Sequence, residues 1–298
     1  LVVEPPVHQG VWRTFGAFEG LRANEITDMT SGLDGTLWAS TAGSGGWSYD
    51  GENFEQWTTR EGLPHDEVRA VHATRDGAIW FATAAGAVRW DGGPFAVWSR
   101  ADGLPHESVT TLFEGSDGKV WIGTAAGAVW WEDGSLGSDA VVDEALGYTM
   151  VTDFVEDDAG DLWISTSGQG AWRRHDGGME PYSRPESIGD TRVWALAQAP
   201  DGGMWFGTEN GLTRLHNGVT RTWFTFEEGV AQHQIVDLHI GPDGSVWGAT
   251  TGGGVLRTDG EHFVLYGVND GLSHAGVSAI HHDYQGGVWF GASDGSLT

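Results

Sequence analysis

Short apolar runs of about four to six residues, each cut off by Gly or Asp-Gly, follow one another along the whole chain. The stretch EVRAVHAT, RDG, AIWFAT, AAG, AVRW, DGG, PFAVWSR (residues 67–100) shows the unit. Four runs rich in Val, Ile, Trp, Phe and Thr are separated by turn residues, which predicts a four-stranded antiparallel meander. One tryptophan behind an Asp-Gly-type turn marks each copy: Trp38, Trp80, Trp121, Trp163, Trp205, Trp247 and Trp289. Successive spacings are 42, 41, 42, 42, 42 and 42 residues, so the unit is written seven times.

A small sheet with two apolar faces can bury neither alone, so successive sheets must stack face to face. Stacking around an axis gives a β-propeller, and an open solenoid is the alternative. The chain stops at FGASDGSLT, as a third strand begins, and opens with LVVEPPVHQGVWRTF, which reads as a third and fourth strand. Trp12 lines up with Trp57 and Trp98, the outer-strand tryptophans of the first two complete units. The expectation is therefore an all-β, seven-bladed propeller of four-stranded antiparallel blades forming a single domain, residues 1–298. Its N-terminal strands would complete the last blade and leave no exposed sheet edge. The repeated Trp is expected between blades. Thr41, Thr83, Thr124, Thr166, Thr208 and Thr250, three residues further on, are expected to hold the scaffold, with Ala292 as the exception.

Composition narrows the function. The chain has 48 Gly and 17 Trp among 298 residues, as many short strands and tight turns require. With 42 acidic against 15 basic residues the formal charge is −27, and Lys119 is the sole lysine. Such a polyanion is repelled by phosphate backbones and anionic lipid, which argues against nucleic acid as a partner. The absence of cysteine excludes disulfides, Cys-ligated zinc and thiol catalysis. No apolar run approaches the roughly 18 to 20 residues of a membrane span, and no leader pattern opens the chain, so no membrane insertion by this chain is expected. G-x-S-x-G and H-E-x-x-H are absent. The acidic run Glu156-Asp157-Asp158 lacks the order of a calcium loop.

Residues that differ at equivalent repeat positions are where function can sit. Fifteen residues before each marker Trp stand Ala23, His65, His106, Tyr148, Asp190, Gln232 and His274, in the loop entering each inner strand. The turns behind the Trp strands return to the same rim, because two strand traversals bring the chain back. His65, His106 and His274, with Gln232 and His233, are therefore expected around one mouth of the central channel, a concave setting suited to a ligand. Tyr148 and Trp194 could stack on a sugar face, Asp190 and Asn210 could bond hydroxyls, and Arg192 could pair with a carboxylate. A divalent ion held by three histidines is conceivable, but no cofactor is assigned. His72, His239, His281 and the adjacent His282 fall near the other end of the inner strands and are expected to pack there.

The phrases GLPHDEV…DGAIWFAT and GLPHESV…DGKVWIGT resemble the two-component regulator propeller repeat, and the likeness runs through the chain. That resemblance implies a periplasmic or extracellular propeller from the sensor portion of bacterial hybrid two-component systems, often concerned with carbohydrates, with signalling domains elsewhere in a larger parent protein. The chain is also similar to the streptogramin lyase family, which would imply a Mg2+-assisted lyase using histidines and a glutamate directly after the W-F-T triplet. Glu209 in WFGTEN occupies that place, although Asn210, Gly211 and Leu212 follow where a histidine is implied. The reading is a sensor or recognition propeller binding a small molecule or oligosaccharide. A metal-assisted lyase and a protein-interaction platform are the alternatives.

Overall fold

The computed structural model describes residues 2–4, 12–183, 188–224 and 234–298. Seven inner strands, Ile26–Ser31, Val68–Ala73, Val109–Glu114, Val151–Glu156, Val193–Gln198, Ile235–Ile240 and Val277–His282, stand side by side, and the last touches the first. The first six each lead outward into a four-stranded antiparallel meander. Among the described residues no helix is long and apolar enough to cross a membrane.

The expectation of seven four-stranded blades is corrected: among the described residues six such blades form, and the seventh repeat is a two-stranded sheet of Val277–His282 and Val288–Ala292. The N-terminal strand Val2–Glu4 does not complete it either. That strand lies parallel to His262–Tyr266, on the outer edge of blade six. What the seventh repeat gains instead are single-residue bridges, in which Leu297 faces Gly291 on one side and Phe15 on the other. Two hydrogen bonds between Phe15 and Leu297, at 2.7 and 3.0 Å, make this seam. Trp12 stacks on Phe290 at 5.7 Å. Among the described residues, the N-terminal segment thus contributes the Phe15 bridge and aromatic packing but no strand to this sheet.

The marker tryptophans lie where the pattern put them. Trp80 and Trp205 are fully buried, and Trp80 stacks on Trp98 of its own blade while meeting Trp131 of the next edge-on at 5.0 Å. Truncating a side chain so enclosed costs about 3–5 kcal/mol. The threonine three residues on closes the turn behind the Trp strand. In blade three the Thr124 hydroxyl donates to the Gly127 carbonyl at 2.8 Å and accepts from Ala126 N–H at 3.1 Å. The same donation to a glycine carbonyl recurs from Thr41, Thr83, Thr166, Thr208 and Thr250.

The inner strands present a free edge to the channel, and their N–H and C=O groups need partners. Side chains of the preceding blade supply them. Thr27, Thr110 and Thr152 donate to the carbonyls of Val68, Val151 and Val193 at 2.6–2.8 Å. Asp28, Asp153 and Asp237 accept from the backbone N–H of Val71, Leu196 and Ile280 at 2.7–3.0 Å. Enclosure by surrounding strands disfavours the carboxylate form and pushes these groups up to about 8, 7 and 6. The neighbouring Asp237 charge adds to the effect on both Asp28 and Asp153.

Two predictions follow from these ties. Thr124→Val leaves the Gly127 carbonyl and Ala126 N–H without their partner and lowers stability by about 1–3 kcal/mol in urea unfolding. The folded chain keeps the Asp28 proton at pH values where the unfolded chain has released it. This contribution to stability is full below pH ~4 and is lost as pH rises through about 8. Asp28→Asn removes that slope, so relative to the parent chain the variant gains on the order of 3–4 kcal/mol between pH 5 and pH 8, read from urea midpoints at both.

Candidate functional site

The loops entering the inner strands share one local device. His65 Nδ1 accepts from Glu67 N–H at 2.9 Å, His106 Nδ1 from Ser108 N–H at 3.0 Å, and His274 Nδ1 from Gly276 N–H at 2.9 Å. Asp190 makes the same link with its carboxylate, accepting from Arg192 N–H at 2.8 Å. The side chain closes the turn two residues ahead, which explains why matched loops choose His or Asp. An Nδ1 that accepts leaves the ring proton of a neutral imidazole on Nε2, and all three rings are exposed. Tyr148 belongs to the same set by position but stands almost wholly in solvent. Gln232 and His233 lie outside the described residues.

Blade five gathers the other predicted residues into a single network. Arg192 pairs with Glu209 at 3.3 Å and lies 3.5 Å from Asp190. The Trp194 indole N–H donates to Glu209 at 3.1 Å, and the Asn210 amide donates to Asp190 at 2.5 Å. Glu209 N–H donates in turn to the Arg192 carbonyl at 3.1 Å, which locks the two loops together. The carboxylates are largely covered while the guanidinium is half exposed. This leaves a cation, an amide and an indole edge toward solvent over a buried acidic base.

Sequence reasoning missed Arg69 in blade two. It occupies the repeat position of Trp194, eleven residues before the marker Trp, where most blades have Thr or Ser tying one inner strand to the next. Its guanidinium bonds Glu67 at 2.7 and 3.0 Å and reaches Ser108 of blade three. The departure from Thr at that position was visible in the repeat and could have singled it out.

Among the described residues no group of three His, Cys, Asp or Glu side chains is arranged to hold a metal ion. The rim histidines each accept a backbone N–H of their own loop, His274 Nδ1 lying also 3.2 Å from the Ser293 hydroxyl, and Glu209 is paired with Arg192 and Trp194. At the opposite end of the inner strands His239 stacks on His282 at 4.6 Å and meets His281 at 6.0 Å. His281 Nε2 lies 2.7 Å from the Ser31 hydroxyl. Burial holds His239 down at about 3 and His281 at about 4, so these rings are neutral packing groups. A cavity of about 570 Å³ opens on the face of the Asp-Gly turns, between the seventh repeat and its neighbours, away from the predicted mouth.

The family model described as "Two component regulator propeller" matches residues 103–126, 145–168 and 187–210. No curated protein matches the sequence. Among solved structures, the chain is similar to the extracellular domain of the hybrid two-component system BT3049 from B. thetaiotaomicron, with 21% identity and a TM-score of 0.80. That match covers 96% of this chain and 42% of the other, and a second extracellular domain from the same organism, BT4673, matches over 38% of its length, so this chain spans less than half of either. A streptogramin B lyase structure matches at 16% identity and a TM-score of 0.73, over 93% of both chains. PorZ, a surface component of the type-IX secretion system of Porphyromonas gingivalis, matches at 16% identity and 0.76, over 95% of this chain and 47% of its own. At these identities the likeness is one of fold, and three repeats of this chain are similar to the two-component regulator propeller family.

Proposed function

We propose that this chain is the recognition propeller of an exported signalling protein and binds a small hydroxyl-rich ligand, a sugar or oligosaccharide, at the mouth lined by the inner-strand loops. The observation that supports this is the blade-five network. Arg192, Asn210 and Trp194 are held in fixed positions by Asp190 and Glu209, so polar groups and an indole are ordered before any ligand arrives. The Nε2–H groups of His65, His106 and His274 extend the donor set around the rim. The sensor reading also agrees with the family match and with the extracellular two-component domains that share the fold. A lyase is less well supported, because Glu209 is committed to Arg192 and Trp194 and no histidine of the described residues is bonded to it.

A thermal-shift screen of neutral and acidic oligosaccharides tests this directly. Binding at 100 times Kd adds about 2.7 kcal/mol to stability, which appears as a rise in Tm of several degrees. The rise is expected to vanish in Arg192→Ala and to shrink in His106→Ala, and mass spectrometry should recover the ligand unchanged. An equal shift in parent and Arg192→Ala chains places binding elsewhere, and a cleaved ligand identifies an enzyme.

A further inference from the structure

The repeat position eleven residues before the marker Trp carries a tie between neighbouring inner strands. Thr27, Thr110, Thr152 and Ser278 each donate from the hydroxyl to the carbonyl that opens the next inner strand, at Val68, Val151, Val193 and Ile26. Three blades lack the hydroxyl: blade two has Arg69, blade five Trp194 and blade six Val236. Val236 packs onto the apolar cluster around Val255 and Phe290. Arg69 and Trp194 turn instead to groups of the rim loops, Ser108 and Glu209. In a closed ring of seven inner strands, blades two and five lie three places apart one way and four the other. The two long polar side chains of this level therefore stand on opposite walls of one mouth.

Two loops built on the same phrase hold Arg69. Glu67, whose N–H is bonded by the His65 ring, takes Nε and Nη2 of the guanidinium at 3.0 and 2.7 Å. Ser108 of the next blade, whose N–H is bonded by the His106 ring, accepts from Nη1. These bonds leave part of the five-donor fork over, and the side chain is 35% exposed. Both bonds to Glu67 fall on Oε1, so Oε2 has no partner among the described residues. A guanidinium N–H beside a carboxylate oxygen is a pattern that a vicinal diol completes, one hydroxyl accepting and the other donating. Blade five offers the same pair in Arg192 and Glu209, 3.3 Å apart.

The charges at this mouth are already matched. Arg69 lies beside Glu67, and Arg192 beside Glu209 and Asp190. A ligand carboxylate has to displace these partners and approach against a net charge of −27. A ligand ammonium finds the carboxylates occupied by arginine. An uncharged ligand bonds both pairs without breaking either.

Resting on the reading of this mouth as a sugar site, we propose that Arg69 and Glu67 form its second recognition pair, opposite Arg192 and Trp194, and that the ligand is an uncharged oligosaccharide spanning both walls through its diols. Blades two and five exchange a scaffold hydrogen bond for a ligand contact at the same repeat position. The two GLPH loops then have a shared task, since His65 and His106 order the two groups that hold Arg69.

The test is calorimetric titration of the full chain with short gluco-, galacto- and manno-oligosaccharides, each as the neutral sugar, the C6-carboxylate and the 2-amino form. A neutral member is expected to bind, with its carboxylate and amino counterparts about tenfold weaker or worse. Arg69→Thr gives blade two the residue that Thr27, Thr110 and Thr152 supply elsewhere, so the variant is expected to melt at or above the parent Tm while its affinity for the neutral sugar falls about tenfold. Glu67→Gln keeps an acceptor but leaves the guanidinium without its counter-charge, and it should bring the carboxylate form to within a few-fold of the neutral one. Tighter binding of a carboxylate or amino form by the parent chain overturns the inference. So does an Arg69→Thr chain that binds like the parent while Arg192→Ala does not bind; both results leave the sugar site itself standing. Sugar affinity that neither Arg192→Ala nor Arg69→Thr alters, or no binding by any member, overturns the sugar site and this inference with it.

Discussion

A sheet with two apolar faces cannot stand alone in water, and this constraint governs the molecule. Each blade lays its marker Trp against the next, so the stability of a blade is shared with its neighbours. The residues that close turns and tie inner strands then act on a geometry already set by packing. Thr124 and its counterparts seal the turns on one rim, while Thr27 and Asp28 carry the channel edge of one blade into the next. The same principle explains the seam: Trp12 and Phe15 pack into the seventh repeat as aromatic fillers, even though they add no strand to it.

On the proposed reading, ligand chemistry sits at positions that this scaffold leaves free. The rim loops must satisfy an N–H two residues on, and His, Asp or a similar acceptor does so at little cost. Three histidines at matched sites therefore have a structural reason to be there. Blade five departs from the common plan, since Asp190, Arg192, Trp194, Glu209 and Asn210 bond one another. Polar groups organised in this way, at a mouth, are what hydroxyl-bearing ligands need.

The period, the strand pattern, the buried Trp and the turn-closing Thr were legible in the sequence because each is repeated and each has one dominant physical cause. The number of complete blades was not. Trp12 was aligned with Trp57 and Trp98 as an outer-strand residue that would close the last blade, but aromatic alignment does not report strand pairing: Trp12 packs on Phe290 outside any strand, and Val2–Glu4 went to the edge of blade six instead. The matched position of His65, His106 and His274 was legible, whereas the hydrogen bond that uses up Nδ1 depends on loop geometry. Arg69 was readable in principle from the same repeat position as Trp194. The raised proton affinity of the channel aspartates could not be foreseen, because it depends on enclosure by strands that the folded ring brings together.

The central claim is that blade five and the rim loops form the ligand site. Hydrogen exchange measured across the chain, with and without the oligosaccharide giving the largest stabilisation, tests it most directly. The account predicts slowed exchange in residues 190–194 and 208–211, with smaller changes near His65, His106 and His274. Protection restricted to the Asp-Gly turns of the opposite face, with residues 190–194 unchanged, would contradict it.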